Sequence, residues 1–161
     1  MCWDVRPSIS PYVTISSDMR RASMRCHWAY RGFVNIASAV ATDEFTVEIS
    51  GSRFAMNPGY VRIGFVTLER FAPNTCLLYG SGVYTIIPCC GLLSGCGKIN
   101  AVYCSGFYRG TVRGVVDRVH KTISFHVDGV DHGVAWTGVD PGTLLYAVAA
   151  FEYDRVSVEF V

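Results

Sequence analysis

The sequence predicts an all-β protein of antiparallel strands, a sandwich or a barrel, and three observations carry that prediction. Short runs alternate apolar and polar residues with the period of a half-buried strand. Glycine, proline and Asp-Gly or Asn-Pro-Gly signals break these runs at turn-like spacing. No stretch carries the apolar spacing of a strong amphipathic helix, and only Asp18 to Cys26 has room for a helical turn or two. Many short strands separated by such turns pack as an antiparallel sandwich or barrel.

The elements follow in chain order. Tyr12-Val13-Thr14-Ile15 reads as a short strand after Pro11. Phe45, Val47 and Ile49 alternate with Thr46 and Glu48 until Gly51-Ser52 ends the run. Asn57-Pro58-Gly59 signals a turn, after which Val61, Ile63 and Phe65 share one face of a strand. Val83 to Ile87 reads as a buried strand stopped by Pro88, whose missing N–H ends the ladder. Val112 to Val119 then leads into the clearest element, Lys121 to Trp136. There Ile123, Phe125 and Val127 alternate with Thr122, Ser124 and His126. Asp128-Gly129 suits a tight hairpin turn, because both central positions of that turn need positive φ. Val134-Ala135-Trp136 forms the return. Leu144 to Phe151 is a continuous apolar run fit for a core strand, and Val156, Val158 and Phe160 alternate with Ser157 and Glu159 at the C-terminus.

At 161 residues the chain is expected to be one domain, residues 1–161, with its core from about residue 10 onward. Half the residues are apolar and 17% are charged, a composition that buries a core and excludes a disordered chain. A net charge of +1, without a cluster of Lys and Arg beyond Arg20-Arg21, argues against nucleic acid as a partner. Seven cysteines at irregular spacing, with no signal peptide, read as free thiols in a reducing compartment, cytoplasmic or nuclear. Arg70 to Lys98 encloses no charge and is long enough to cross a bilayer. It also holds Pro73, Pro88 and five glycines from Gly80 to Gly97, whose freed backbone groups are costly in lipid, so loops and buried strands are expected and no membrane.

The order of these strands resembles the SPRY domain family. Gly110-Thr111-Val112-Arg113-Gly114-Val115-Val116-Asp117 is similar to that family's "GDxIGxxxD" strand, and Lys121-Thr122-Ile123-Ser124-Phe125 to its "GTISF". Asp128-Gly129 stands where Asn-Gly is common, Gly133-Val134-Ala135-Trp136 resembles "LGVAF", and Leu145-Tyr146-Ala147-Val148 resembles "LYPAV". Val156 to Phe160 resembles the closing "VxxNF", and Phe45 to Ile49 with Val61 to Phe65 the "YxxEVxI…xxVGW" pair. Tyr103 to Phe107 is similar to the "YG..F" before the GD motif, and Ile15-Ser16-Ser17-Asp18 to the early "lSxD" edge. Thr111, Lys121, Asp128 and Trp136 depart from the pattern, all at turns or strand starts. The resemblance implies a concanavalin A-like jelly-roll of two antiparallel sheets. It also implies a monomeric, non-catalytic module that binds a partner protein or peptide, as an adaptor or scaffold in a larger complex.

The chemistry-bearing residues also admit simpler, structural roles. His120, His126 and His132 are evenly spaced, but the Asp128-Gly129 turn separates the last from the others, and structural zinc needs four convergent ligands. Cys89, Cys90 and Cys96 lack a second pair at ligand spacing and a neighbouring base, so they read as structural thiols and no metal or other cofactor is expected. Asp128, Asp131 and Asp140 fall at turn signals. No nucleophile–base pair stands out, so no enzyme is expected. Loop aromatics and arginines make better interface anchors, offering large area at small entropic cost. Arg53, Phe54, Arg70, Tyr79, Tyr84 and Trp136 are therefore the candidate partner-binding residues, in loops at one end of the sandwich. The alternatives are a glycan-binding sandwich, by analogy with lectins of the same architecture, and a Cys- or His-dependent enzyme.

Overall fold

The computed structural model describes residues 1–4, 13–24, 34–51, 61–71, 80–151 and 156–161. The described residues form two antiparallel sheets and no helix. In one sheet the order is β1 (Val13–Ile15), β2 (Arg21–Met24), β13 (Val156–Phe160), β4 (Glu44–Gly51), β9 (Arg109–Asp117), β10 (Thr122–Val127) and β11 (Val130–Thr137). The other runs β3 (Val34–Ala37), β12 (Tyr146–Phe151), β5 (Val61–Val66), β6 (Val83–Ile87), β7 (Leu92–Gly95) and β8 (Lys98–Val102). This is the two-sheet sandwich, and its interleaved strand order carries the chain repeatedly between the layers.

The period-2 pattern builds the core directly. Phe45, Val47 and Ile49 of β4, Val61, Ile63 and Phe65 of β5, and Ile123 and Phe125 of β10 are all buried in one cluster between the sheets. Phe65 meets Phe45 edge-on at 4.9 Å between ring centroids and stacks on Phe125 at 6.5 Å. Each buried ring of this size contributes about 1.5–3 kcal/mol through surface removed from water. Gly114 of β9 makes room for the pair: a Cβ there would stand 2.5 Å from the Phe45 ring and 2.9 Å from that of Phe65.

The hairpin forms at the expected turn. Asp128 and Gly129 have φ of 49° and 80°, the two left-handed positions that such a turn demands. The Asp128 carboxylate also reaches across to β9, where Oδ1 accepts the Thr111 backbone N–H at 2.7 Å and its hydroxyl at 3.3 Å. Thr111 and Asp128 are two of the four departures from the SPRY-like pattern, and they bond to each other.

Two bulges distort the β10–β11 ladder, one around Ala135 and one where His132 and Gly133 together face Phe125. The second would orphan the backbone of buried Phe125. Tyr103 fills the gap: its hydroxyl accepts the Phe125 N–H at 3.0 Å and lies 2.6 Å from the Gly133 carbonyl and 3.1 Å from that of Phe125. Tyr103 thereby pins the segment after β8 onto the opposite sheet.

Several sequence expectations are corrected. Arg21–Met24, inside the stretch given room for a helical turn, is strand β2, because Ala22 and Met24 alternate into the core. Val119 belongs to the turn after β9 and is 84% exposed, and Leu144 precedes β12 and is 64% exposed. The charge-free stretch contains β6 and β7 and leads into β8, and no helix among the described residues is long and apolar enough to cross a membrane.

Candidate functional site

Three strand ends meet at one end of the six-stranded sheet. Val66, the last residue of β5, pairs with Val83 at the start of β6 and with Tyr146 at the start of β12. The β5–β6 and β11–β12 connections therefore rise side by side. Between them lies an open cleft of about 480 Å³. Leu68, Glu69 and Arg70 of the first connection form one side, Asp140, Thr143 and Leu144 of the second form the other, and Tyr84 and Tyr146 line it from the sheet.

Each wall is held by its own backbone chemistry. After β5 the chain turns tightly, with the Arg70 N–H donated to the Thr67 carbonyl at 3.0 Å and the Thr67 N–H to Gly82 at 2.9 Å. The Arg70 guanidinium donates one hydrogen bond from Nη2 to Ser81 Oγ at 3.1 Å and is otherwise exposed to the cleft. In the opposite wall, Asp140 caps its own turn, accepting the Gly142 N–H and the Thr143 hydroxyl, each at 3.0 Å. Those bonds hold its carboxyl below the usual range, with Lys121 and Arg118 adding a smaller attraction.

Arg118 braces that wall from behind. Its Nη1 faces the carbonyls of Thr143, Pro141 and Asp140 at 2.8, 3.2 and 3.4 Å, while Nε and Nη2 donate to Asp43 at 3.0 and 2.5 Å. A second hollow of about 550 Å³ lies against Arg118 and Asp43 and shares Thr143 and Leu144 with the first.

Tyr84 is half-buried and packs edge-on against Trp136, 5.6 Å between centroids at 81°. Burial pushes its phenol up to about 12, with the neighbouring Cys96 thiol and then Asp140 adding to the effect, so it stays a neutral hydroxyl across the physiological range. Trp136 itself is 4% exposed, inside β11, with its ring against Phe125 at 6.2 Å. It supports Tyr84 from within the core, which corrects its place among the loop candidates: Trp136 lies in strand β11 opposite buried Ile123 and shares its inward face.

Of the six candidates, Arg70 and Tyr84 therefore share one cleft, Trp136 lies beneath it, and Arg53, Phe54 and Tyr79 lie outside the described residues. Sequence reasoning missed Leu68, Leu144 and Tyr146. Leu144 reads in the sequence as part of a core strand, and only the Asp140-Pro141-Gly142 turn signal hints that this run begins on a loop; Tyr146 does open β12, and it lines the cleft from there.

The other constellations resolve into structural roles. His120 Nδ1 sits 2.7 Å from Asp117 Oδ2 in the β9–β10 turn, and the Asp131 carboxylate accepts the Gly133 N–H at 2.8 Å. Among the described residues no three His, Cys, Asp or Glu side chains converge as a metal site would require. Burial pushes the Cys89 thiol up to about 12, with the neighbouring Cys90 adding to it, and burial also raises Cys104. Such thiols are protonated at neutral pH, the opposite of an activated nucleophile.

No family model matches the sequence, and no curated protein matches it. Solved structures do. The SPRY domain of human HERC1 superposes with a TM-score of 0.71 at 16% identity, over 98% of this chain and 96% of that one. A human SPRY domain gives 0.70 at 12%, over 92% and 94%. The NHR1 domain of Drosophila melanogaster Neuralized gives 0.63 at 17%, over 96% and 94%. At these identities the likeness shows the fold, and the SPRY-like order read from the strands is the order this fold uses.

Proposed function

We propose that this chain is a single, non-catalytic protein-interaction domain that binds a partner through a short segment seated in the Arg70–Tyr84 cleft. The observation that carries the reading is convergence. Arg70 and Tyr84, two residue types favoured at interfaces, stand with Tyr146 and with Leu68 and Leu144, 45% and 64% exposed, around one concave surface on a rigid sheet end. Exposed leucines on the two walls supply the apolar anchor surface that such sites use. The SPRY-type fold supports the same reading. In this reading the domain serves as an adaptor or scaffold, as a monomer in a larger complex, and the free cysteines among the described residues support a reducing compartment, cytoplasmic or nuclear.

The test is selection of a phage-displayed random linear peptide library on the purified domain. Enriched peptides should bind the parent domain and lose about tenfold or more affinity to Leu144→Asp, which buries an unpaired charge against the ligand. Leu144 is exposed, so the melting temperature should stay within about 2 °C, as for surface changes generally. No enrichment, or binders indifferent to Leu144→Asp, would remove the cleft as the site.

A further inference from the structure

We infer that the cleft selects a segment carrying an aspartate or glutamate next to an apolar side chain, with Arg70 gripping the carboxylate; this rests on the peptide-binding reading above. The Arg70 guanidinium holds hydrogen-bonding capacity that the cleft leaves unused. Asp140 directs both carboxylate oxygens into its own turn, to Gly142 and Thr143, and Lys121 and Arg118 attend its charge. The Thr143 hydroxyl is spent on Asp140 in the same turn.

Arg70 is the cationic side chain that lines the cleft among the described residues. A guanidinium carries five N–H donors in a planar fork. One bond goes to Ser81, which steadies the fork without neutralising it. What remains is a positioned donor pair of the shape that takes a carboxylate with two parallel bonds. A lone arginine suits a carboxylate, whereas phosphate recognition recruits clusters of them.

Glu69 is the opposing charge on the same wall, beside Arg70 in the turn. It repels an acidic ligand and would attract a basic one, so the two residues give opposite signs for the two kinds of partner. Leu68 and Leu144 flank the fork and favour an apolar side chain over the hydroxyl-rich surface of a sugar.

The experiment uses peptides selected by the full chain, with three variants and a salt titration. Selected sequences should be enriched in Asp or Glu beside Leu, Ile, Val or Phe. Arg70→Gln should weaken them about tenfold or more, Arg70→Lys should fall between, and Glu69→Gln should tighten them about twofold, in keeping with the strength of charged hydrogen bonds and of exposed charge pairs. Raising salt should weaken binding in the parent and leave Arg70→Gln nearly unaffected.

Peptides rich in Lys or Arg that tighten with Arg70→Gln and weaken with Glu69→Gln would overturn the inference in favour of a basic partner. Peptides lost to Leu144→Asp but unmoved by the Arg70 and Glu69 changes would overturn the carboxylate grip while leaving the peptide-binding reading intact. Binding of sialylated glycans at this cleft, with no peptide enriched, would overturn both.

Discussion

Replacing Tyr103 by phenylalanine removes one oxygen from the molecule, and the structure allows its cost to be worked out. The hydroxyl sits in the β11 bulge, where His132 and Gly133 together face Phe125 and the ladder cannot close. It accepts the Phe125 N–H at 3.0 Å and has one proton to donate, best placed for the Gly133 carbonyl at 2.6 Å. Phe125 is fully buried, so its N–H would be left without a partner. An orphaned buried donor costs roughly 1–3 kcal/mol. Gly133 is exposed, so its carbonyl can turn to water and the loss there is about 0.5–1 kcal/mol. The ring stays, and with it the edge-on contact with Phe125 at 6.3 Å.

The total is about 1.5–4 kcal/mol, which for a chain of this size lowers the melting temperature by roughly 3–16 °C. Urea titration should show the midpoint falling with an unchanged slope, the mark of lost stability without a change in the surface exposed on unfolding. A loss below about 0.5 kcal/mol would refute the reasoning, because it would mean that water satisfies the Phe125 N–H as well as Tyr103 does.

Three further predictions test the same physics. Gly64→Ala would place a Cβ 2.0 Å from the Tyr84 carbonyl oxygen and 2.8 Å from Thr85 Cα, both backbone atoms of β6, so it should cost about 4 kcal/mol or more and show as insoluble or unfolded protein by circular dichroism. Asp128→Ala should destabilise the domain by about 1–2 kcal/mol in urea titration, whereas Asp128→Asn should lose less than about 1, since it keeps the turn and an acceptor for Thr111. Stability should decline as pH rises from about 9 to 12 in urea midpoints taken at each pH. Burial raises Cys89 and Tyr84 to about 12, from 9.0 and 10.0, and also raises Cys104 and Tyr103. The unfolded chain therefore loses these protons first, the stabilisation is fully present below pH 9, and Tyr84→Phe should flatten the upper part of the decline.

Strand existence was legible wherever one face of a strand is buried and the other is not. Val61, Ile63 and Phe65, or Ile123, Phe125 and Val127, announce themselves because alternate side chains meet different solvents. The Asp128-Gly129 turn was equally legible, because its positive φ values restrict the residues that fit. β3, β7 and β8 were not. Val34–Ala37 is buried on both faces and shows no alternation, and Leu92–Gly95 and Lys98–Val102 are short, glycine-flanked and bulged at Asn100, so nothing in their pattern separates them from loop. The cleft was half legible. Arg70 and Tyr84 stood out by type and setting, but Leu144 looked like core, since an apolar side chain reads the same whether it is buried or offered to a partner.

By itself the sequence determined the fold class, the hairpin, the inward faces of the main strands and the SPRY-like order, all of which depend on residues near one another in the chain. Only the tertiary structure decided what those elements do together. Val66 pairs with Val83 on one side and Tyr146 on the other, which brings Arg70 across from Leu144; Trp136 pairs with buried Ile123 and turns into the core with it, and the bulge facing Phe125 calls on Tyr103 from the segment after β8. Thr111 and Asp128, each a departure when read alone, meet across seventeen residues and bond. The physical reason is the same in every case: periodicity records which way a side chain points, and long-range strand pairing decides what it points at.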